Sequence, residues 1–245
     1  MGHDQTRTHS ETGLSYYAIG DVHGELDKLR LLYEYVADDA ARAGDDYTIV
    51  HLGDYIDRGP DSRGVVARIM RLQQEASCIA LRGNHEQMLL DAIDSTDRND
   101  QAHWALNGGD AALSSYSRIN GERGDWRDTI DVEHVRWIRS LPYTFCDDAR
   151  RILFVHAGID PWRYPECPDA LKIWTRSAKF FEVDEWPERP ELEGLLVVHG
   201  HTPTDDFVPE NYSRRINVDT GACYGGPLTC AVLRAGEPPR FLYAR

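Results

Sequence analysis

Residues 47–59 read Tyr-Thr-Ile-Val-His-Leu-Gly-Asp-Tyr-Ile-Asp-Arg-Gly. The β-branched run from Tyr47 to Leu52 predicts a strand. Gly53 ends it, and two carboxylates, Asp54 and Asp57, and one guanidinium, Arg58, follow before Gly59. Asp61 and Ser62 can then cap a helix that carries Val65, Val66, Ile69, Met70 and Leu72 at helical spacing. The same grammar recurs on both sides. Upstream, a strand at Tyr16–Gly20 runs into Asp21-Val22-His23-Gly24 and a helix with Leu26, Leu29, Tyr33, Val36 and Ala40 on one stripe. Downstream, a strand at Cys78–Leu81 runs into Arg82-Gly83-Asn84-His85-Glu86 and a helix from His85 to Ile93. Strands and helices alternating in this way predict a layered α/β core.

Residues 94–140 are polar, with helical patterns around Trp104 and over Val132–Ile138, and read as a helical insertion rather than a separate domain. Strands return at Arg151–Val155, Leu195–Val198, Arg215–Val218 and Leu228–Leu233. Between them, residues 161–190 hold five prolines and three tryptophans, which predicts an ordered but irregular loop. Residues 1–15 have no apolar run of the signal-peptide kind and are expected to form a disordered tail, leaving 16–245 as one domain.

Composition excludes several classes. The chain has 245 residues, 41% of them hydrophobic, enough to build a core without disulfide or metal staples. Its 27 basic against 41 acidic residues leave a net charge of −14, which repels nucleic-acid phosphates and anionic lipid, so neither is an expected partner. No apolar run approaches the ~18 residues a membrane-spanning helix needs. The five cysteines, Cys78, Cys146, Cys167, Cys223 and Cys230, form no C-x-x-C pair, which argues against a zinc knuckle or disulfide framework and for a reduced, cytoplasmic protein. None has an arginine six positions on, which cysteine-based phosphatases need, so activity is expected to be independent of every cysteine.

The metal-competent residues follow strand ends. Asp21 and His23 follow the first strand, Asp54 and Asp57 the second, and Asn84 and His85 the third; His156 ends Ile-Leu-Phe-Val-His, and His199 and His201 end Leu-Leu-Val-Val-His-Gly-His. Ligands bind α/β sheets outside the carboxyl ends of the strands. Taken singly, an aspartate after a strand is usually a turn or cap residue, and a lone histidine is usually hydrogen-bonded structure. His51 and His103 are left in that ordinary class. Five strands delivering Asp, Asn and His to one edge, with glycines at their side, are not explained so simply. Oxygen and imidazole donors without thiolate suit manganese, iron or zinc. A carboxylate with two oxygens can bridge two such ions ~3.5–4 Å apart, which activate a water and clamp a phosphoryl group. A separate imidazole would then protonate the leaving group, with a carboxylate fixing its tautomer.

At these residues the chain resembles the phosphoprotein phosphatase family of calcineurin-like metallophosphoesterases. GDVHG (20–24), GDYIDRG (53–59), RGNHE (82–86), VHAG (155–158) and HGHT (199–202) stand in the family's order, and WALNGGDAALSSY (104–116), KIWTR (172–176) and INVDTGACYGGPLT (216–229) resemble its bacterial branch. The resemblance implies a four-layer α/β/β/α sandwich and a dinuclear centre, manganese first, with iron or zinc as alternatives. It makes Asp21 and His23 ligands of one ion, Asp54 the bridge, and Asn84, His156 and His201 ligands of the other, with His199 outside the set. His85 becomes the general acid with Asp57 behind it. Arg58 becomes a phosphate-holding fork, Asn84 a further phosphate contact and Arg176 a second clamp. One departure is visible. Many metallophosphoesterases read Gly-His-x-His, whereas Pro203 takes the second histidine's place here. That favours the phosphatase branch over nucleases, and the short chain implies no eukaryotic-type regulatory subunit.

The expected activity is hydrolysis of a phosphomonoester, with phosphoserine or phosphothreonine in protein favoured as substrate and phosphotyrosine or small phosphoesters as alternatives. A symmetrical dinucleoside tetraphosphate hydrolase is the nearest alternative. A non-catalytic metal sensor or scaffold would need a missing ligand or acid, and every expected position is filled.

Overall fold

The computed structural model describes residues 14–121 and 123–245. Most of the predicted tail lies outside that range, but Leu14 and Ser15, counted with it, belong to the first strand. The alternation around Tyr47–Gly59 is present as predicted: β1 (Leu14–Ile19), α1 (Leu26–Ala43), β2 (Asp46–His51), α2 (Ser62–Glu75), β3 (Cys78–Ala80) and α3 (Asn84–Asp94). α1 forms because Leu26, Leu29, Leu32, Tyr33, Val36 and Ala40 fall on one buried stripe. α2 starts where Asp61 accepts the Gly64 N–H at 2.9 Å, a cap worth ~1 kcal/mol.

The insertion consists of α4 (Arg98–Trp104), a π turn (Ala105–Gly109), α5 (Asp110–Asn120) and α6 (Val132–Ser140). Its Trp104, Ala112, Tyr116, Ile130 and Ile138 join the buried cluster that α1, α2 and α3 make with β1. After it come β4 (Thr144–Asp147), β5 (Ile152–Val155), α7 (Asp169–Trp174), α8 (Ala178–Phe181), β6 (Leu196–His199), β7 (Glu210–Asn211), β8 (Arg215–Asn217), β9 (Leu228–Leu233) and β10 (Arg240–Ala244).

These strands form two sheets, ordered β10-β9-β1-β2-β3 and β4-β5-β6-β8-β7. β1, β2 and β3 run parallel, as do β5, β6 and β8, while β4, β7, β9 and β10 pair antiparallel. The two-residue period of a strand sorts side chains between layers. Tyr16 and Ala18 of β1 meet Ile152, Phe154, Val198 and Ile216 between the sheets. Tyr17 and Ile19 point the other way, into the first helical layer. Leu153, Val155 and Val197 face Phe180, Val183 and Trp186 on the far side. Four layers result, α/β/β/α, as the resemblance implies.

The sequence reading missed β4, β7 and β10. All are edge strands, and an edge strand buries too little to write a clear alternation. The segment read as irregular over 161–190 contains α7 and α8, helices of six and four residues that are too short to show a period.

Candidate metal centre

Five of the parallel strands end at the same edge of the sandwich, and their following loops carry the site. Asp21 and His23 follow β1, Asp54 follows β2, Asn84 follows β3, His156 follows β5 and His201 follows β6. All six side chains are buried. His23, Asp54, Asp57, Arg58 and His201 adopt left-handed backbone, with φ of 44°, 55°, 72°, 66° and 68°. Such strain in non-glycine residues persists only where the surroundings fix it. Here they do: Val22 and His23 donate their N–H groups to the Asp54 carbonyl at 3.0 and 2.9 Å. Glu86 accepts the N–H groups of Asp54, Tyr55 and Gly83 at 2.9, 2.8 and 3.0 Å, tying the loops after β2 and β3 together. Gly53, at φ 110°, allows this crowding; a Cβ there would lie 2.6 Å from Gly83 N and 2.8 Å from His156 Nδ1.

Proton positions follow from the carbonyls. His23 Nδ1–H donates to Ile56 O at 2.8 Å, and His156 Nδ1–H donates to Leu52 O at 3.0 Å, so both Nε2 atoms carry lone pairs. The lone pair of His156 faces Asp54 and Asn84, while that of His23 takes the Arg58 Nη1–H at 2.7 Å. His23 Nε2 is 3.5 Å from Oδ2, and His156 Nε2 is 3.4 Å from Oδ1. Acceptors turned toward one another in a buried site are repulsive unless a cation lies between them. One oxygen of Asp54 thus lies toward each histidine, so the carboxylate could serve both sides. On the His156 side, Asn84 Oδ1 is 2.9 Å from His156 Nε2 and 2.8 Å from His201 Nδ1. Donor atoms of Asp54, His156 and His201 lie within 4.8 Å of one another, and so do those of His23, Asp54 and His85. The donor set therefore fits two divalent ions of the oxygen- and imidazole-binding kind.

Asp21 stands outside both trios. Its carboxylate accepts the His201 N–H, at 3.1 Å to each oxygen, and its pKa is raised well above the usual range by burial and by Asp219 and Asp54. Asp54 itself is held below that range: burial alone would raise it, but His156, His85, His23 and His201 outweigh burial. Burial pushes His23, His156 and His201 down, which keeps them neutral as ligation requires.

His85 Nδ1 pairs with Asp57 Oδ2 at 2.7 Å, and both groups are buried. Burial would lower the imidazole's pKa, yet Asp54 and Asp57 reverse that and raise it. His85 Nε2 is a buried atom with no hydrogen-bond partner among the described residues, 3.9 Å from Asp54 Oδ2. A cleft opens beside Asp54, Asn84 and His201. The cleft holds about 410 Å³ and is walled by Arg58, Arg176, Asn107, Trp174 and Tyr224. Arg58 Nη1 donates to His23 Nε2 at 2.7 Å, and Arg176 Nε to His201 Nε2 at 3.3 Å, so both guanidinium groups stand at its mouth. His199 turns elsewhere, with its ring against Phe180 and its Nε2 3.4 Å from Arg215 Nη1. His51 bonds Tyr33 Oη, and His103 lies near Trp174.

The sequence reading missed three residues here. Asp219 follows β8 and lies against Asp21, its pKa pushed up to about 6 by burial. The rule that found Asp21, a carboxylate after a strand with glycine close by, fits Asp219-Thr220-Gly221 equally. Glu86 stands inside a quoted motif but was given no role. Trp104 donates its indole N–H to Asp57, and only the fold could bring it there.

A buried cluster of carboxylates and neutral imidazoles at the strand ends of an α/β/β/α sandwich is the centre of a metal-dependent hydrolase. A model of the calcineurin-like phosphoesterases matches residues 14–232, and the chain belongs to that family. It is thus a phosphoesterase of the hydrolytic kind. The serine/threonine-protein phosphatase 1 of Salmonella typhimurium is 30% identical over 226 residues, 88% of this chain and 90% of that protein. An asymmetrical bis(5'-nucleosyl)-tetraphosphatase of Halalkalibacterium halodurans is 25% identical over 230 residues, 88% and 89% of the two chains. The cold-active protein-tyrosine phosphatase of a Shewanella species shares the fold, with a TM-score of 0.61 and 20% identity over 96% of this chain and 82% of that one.

All five cysteines are free, and burial raises the pKa of each thiol, that of Cys223 to about 11. None is a thiolate nucleophile at neutral pH. One expectation needs refinement: Cys223 sits beside Arg58, so a bulky adduct there would crowd the cleft. Cys223→Ala is expected to keep its metal content and its turnover within about twofold, because a surface-type change without lost function costs little. Inactivation of that variant by iodoacetamide, with its metal retained, would show a second thiol at work.

Proposed function

We propose that the protein is a metal-dependent phosphomonoesterase acting on phosphoserine and phosphothreonine in proteins in the cytoplasm. Asp21, His23 and Asp54 would hold one divalent ion, and Asp54, Asn84, His156 and His201 the other, with manganese favoured for both. When bound, such ions supply an activated water and neutralise phosphoryl charge. The chain's own residues do the rest. Arg58 and Arg176, at the mouth, take phosphoryl oxygens through their forks. Asn84 adds a further contact to the phosphate. Asp57 keeps the His85 proton on Nδ1 when the ring is neutral, and the charged ring donates from Nε2 to the departing oxygen.

The observation that carries the substrate class is the built acid. A serine or threonine alkoxide is a poor leaving group and needs a proton, whereas a nucleotide leaves as a stable phosphate anion. The buried His85–Asp57 pair with an unpartnered Nε2 is the device an alkyl phosphate requires. The 30% identity to a named serine/threonine phosphatase over nearly the length of both chains supports the same reading.

A second reading, hydrolysis of dinucleoside tetraphosphates, is favoured by Trp174 and Tyr224. Both rings are half-exposed at the cleft and offer flat faces to nucleobases. The discriminating experiment compares kcat/KM for a phosphoserine peptide and diadenosine tetraphosphate, with Mn²⁺ present. The protein-phosphatase reading expects the peptide to be preferred. A clear preference for the dinucleotide would replace it with the second.

A further inference from the structure

The segment from Asp57 to Arg63, a loop running into the first turn of α2, carries the carboxylate behind the acid and one phosphate-binding arginine, and the insertion holds it along its length. Trp104, at the end of α4, donates its indole N–H to both oxygens of Asp57, at 3.0 Å to Oδ1 and 3.1 Å to Oδ2. Four residues on, the Gly108 carbonyl accepts the Arg58 N–H at 3.1 Å. Gly108 has φ 103°, and a Cβ there would lie 2.8 Å from Arg58 N, so the approach depends on glycine. In α5, Ser115 Oγ accepts the Arg63 N–H at 2.9 Å, and Arg118 donates to the Pro60 carbonyl. Trp104 is itself fixed, tilted against Trp126 with ring centroids 5.1 Å apart, and packed so that a Cβ on Gly109 would meet its ring at 2.5 Å.

We infer that residues 104–118 of the insertion are a brace for the catalytic loop, with Trp104 the positioning residue that fixes Asp57 behind His85. The inference rests on the reading of His85 as the acid. Its physics is short. A carboxylate turns readily about its terminal torsion, so one bond to His85 does not fix its plane. The Trp104 N–H reaches both oxygens and so supplies a second point of attachment. Oδ2 then stays 2.7 Å from His85 Nδ1, and Oδ1 keeps the indole donor. Indole N–H is a donor only, so Trp104 holds charge and relays no proton. Burial pushes the Asp57 carboxyl up, and the bonds from His85 and Trp104 work against that rise. Taking the Trp104 N–H away leaves the Asp57 carboxylate oriented by its bond to His85 alone.

The test removes the N–H and keeps the ring. Trp104→Phe does so approximately, and replacement of Trp104 by benzothienylalanine, with sulfur in place of N–H, keeps the two-ring outline if the phenylalanine variant folds poorly. Each is measured beside His85→Asn on a phosphoserine peptide and on p-nitrophenyl phosphate, with metal content determined. The expected loss in kcat is ~10-fold on the peptide, the usual scale for removing a group that orients a functional residue, with KM unchanged. On p-nitrophenyl phosphate it is no more than about twofold, because that leaving group needs little acid. The His85 Nδ1 proton resonance should also move upfield as its bond to Asp57 loosens. Equal loss on both substrates, or loss on neither, overturns the brace. If His85→Asn itself lacks the leaving-group signature, the acid reading has failed. If it shows the signature and the Trp104 variants do not, the brace alone is wrong.

Discussion

His85→Asn is expected to keep both metals and to lose ~10²–10⁴-fold in kcat on a phosphoserine peptide, the range general acid catalysis supplies. The loss on p-nitrophenyl phosphate should be far smaller, since p-nitrophenolate is a stable anion. The expectation comes from placement. Nδ1 of His85 is committed to Asp57, while Nε2 is buried and unpartnered beside Asp54. Asparagine cannot supply the proton. Asp57→Asn should show the same pattern more weakly, because it removes only the orienting charge. Two other outcomes carry meaning of their own. Loss of a metal from His85→Asn would make His85 a ligand in the trio with His23 and Asp54. Equal loss on both substrates with metals intact would make it a phosphate contact.

Asp54→Asn should lose metal and activity together. Its two oxygens face different histidines, 3.5 Å from His23 and 3.4 Å from His156, so this one carboxylate reaches both sides. Replacing one oxygen with NH₂ turns an acceptor into a donor aimed at a lone pair or a cation. Metal catalysis contributes several kcal/mol to phosphoryl transfer, so the fall in kcat should be at least ~10²-fold. Elemental analysis beside turnover measures both. Two metals per chain with normal turnover would remove Asp54 from the bridging position.

The core of the fold was legible because each parallel strand announces itself twice, by an apolar run and by the glycine and polar residue that end it. Tyr47–Leu52 followed by Gly53-Asp54 is the clearest case, and β2 ends within a residue of that boundary. The same double signal places Asp21, His23, Asn84, His156 and His201 at one edge. Edge strands such as Arg240–Ala244 lack it, since half their backbone faces no partner and their side chains are mostly uncovered. Trp104 was legible only as part of a helical pattern and of a motif resembling the bacterial branch. Its contact with Asp57 joins positions 47 residues apart, and no local pattern encodes such a pairing. Arg58 and Arg176 could be named as cations for phosphate, but their present partners, His23 and His201, follow from the crowding of two loops at the cleft mouth.

The candidate ligands do not belong to one sheet. Asp21, His23, Asp54 and Asn84 come from the strands of the first, and His156 and His201 from those of the second. Ions held by both sets would rivet the two halves of the sandwich across their shared apolar interface. Binding free energy at such a rivet is folding free energy, growing by RT ln(1 + [L]/Kd) with the free metal concentration. Unfolding would then have to release the ions before the sheets could part. The lifetime of the protein in a cell becomes a reading of metal supply: a starved cell would lose the chain to proteolysis, and not only its turnover.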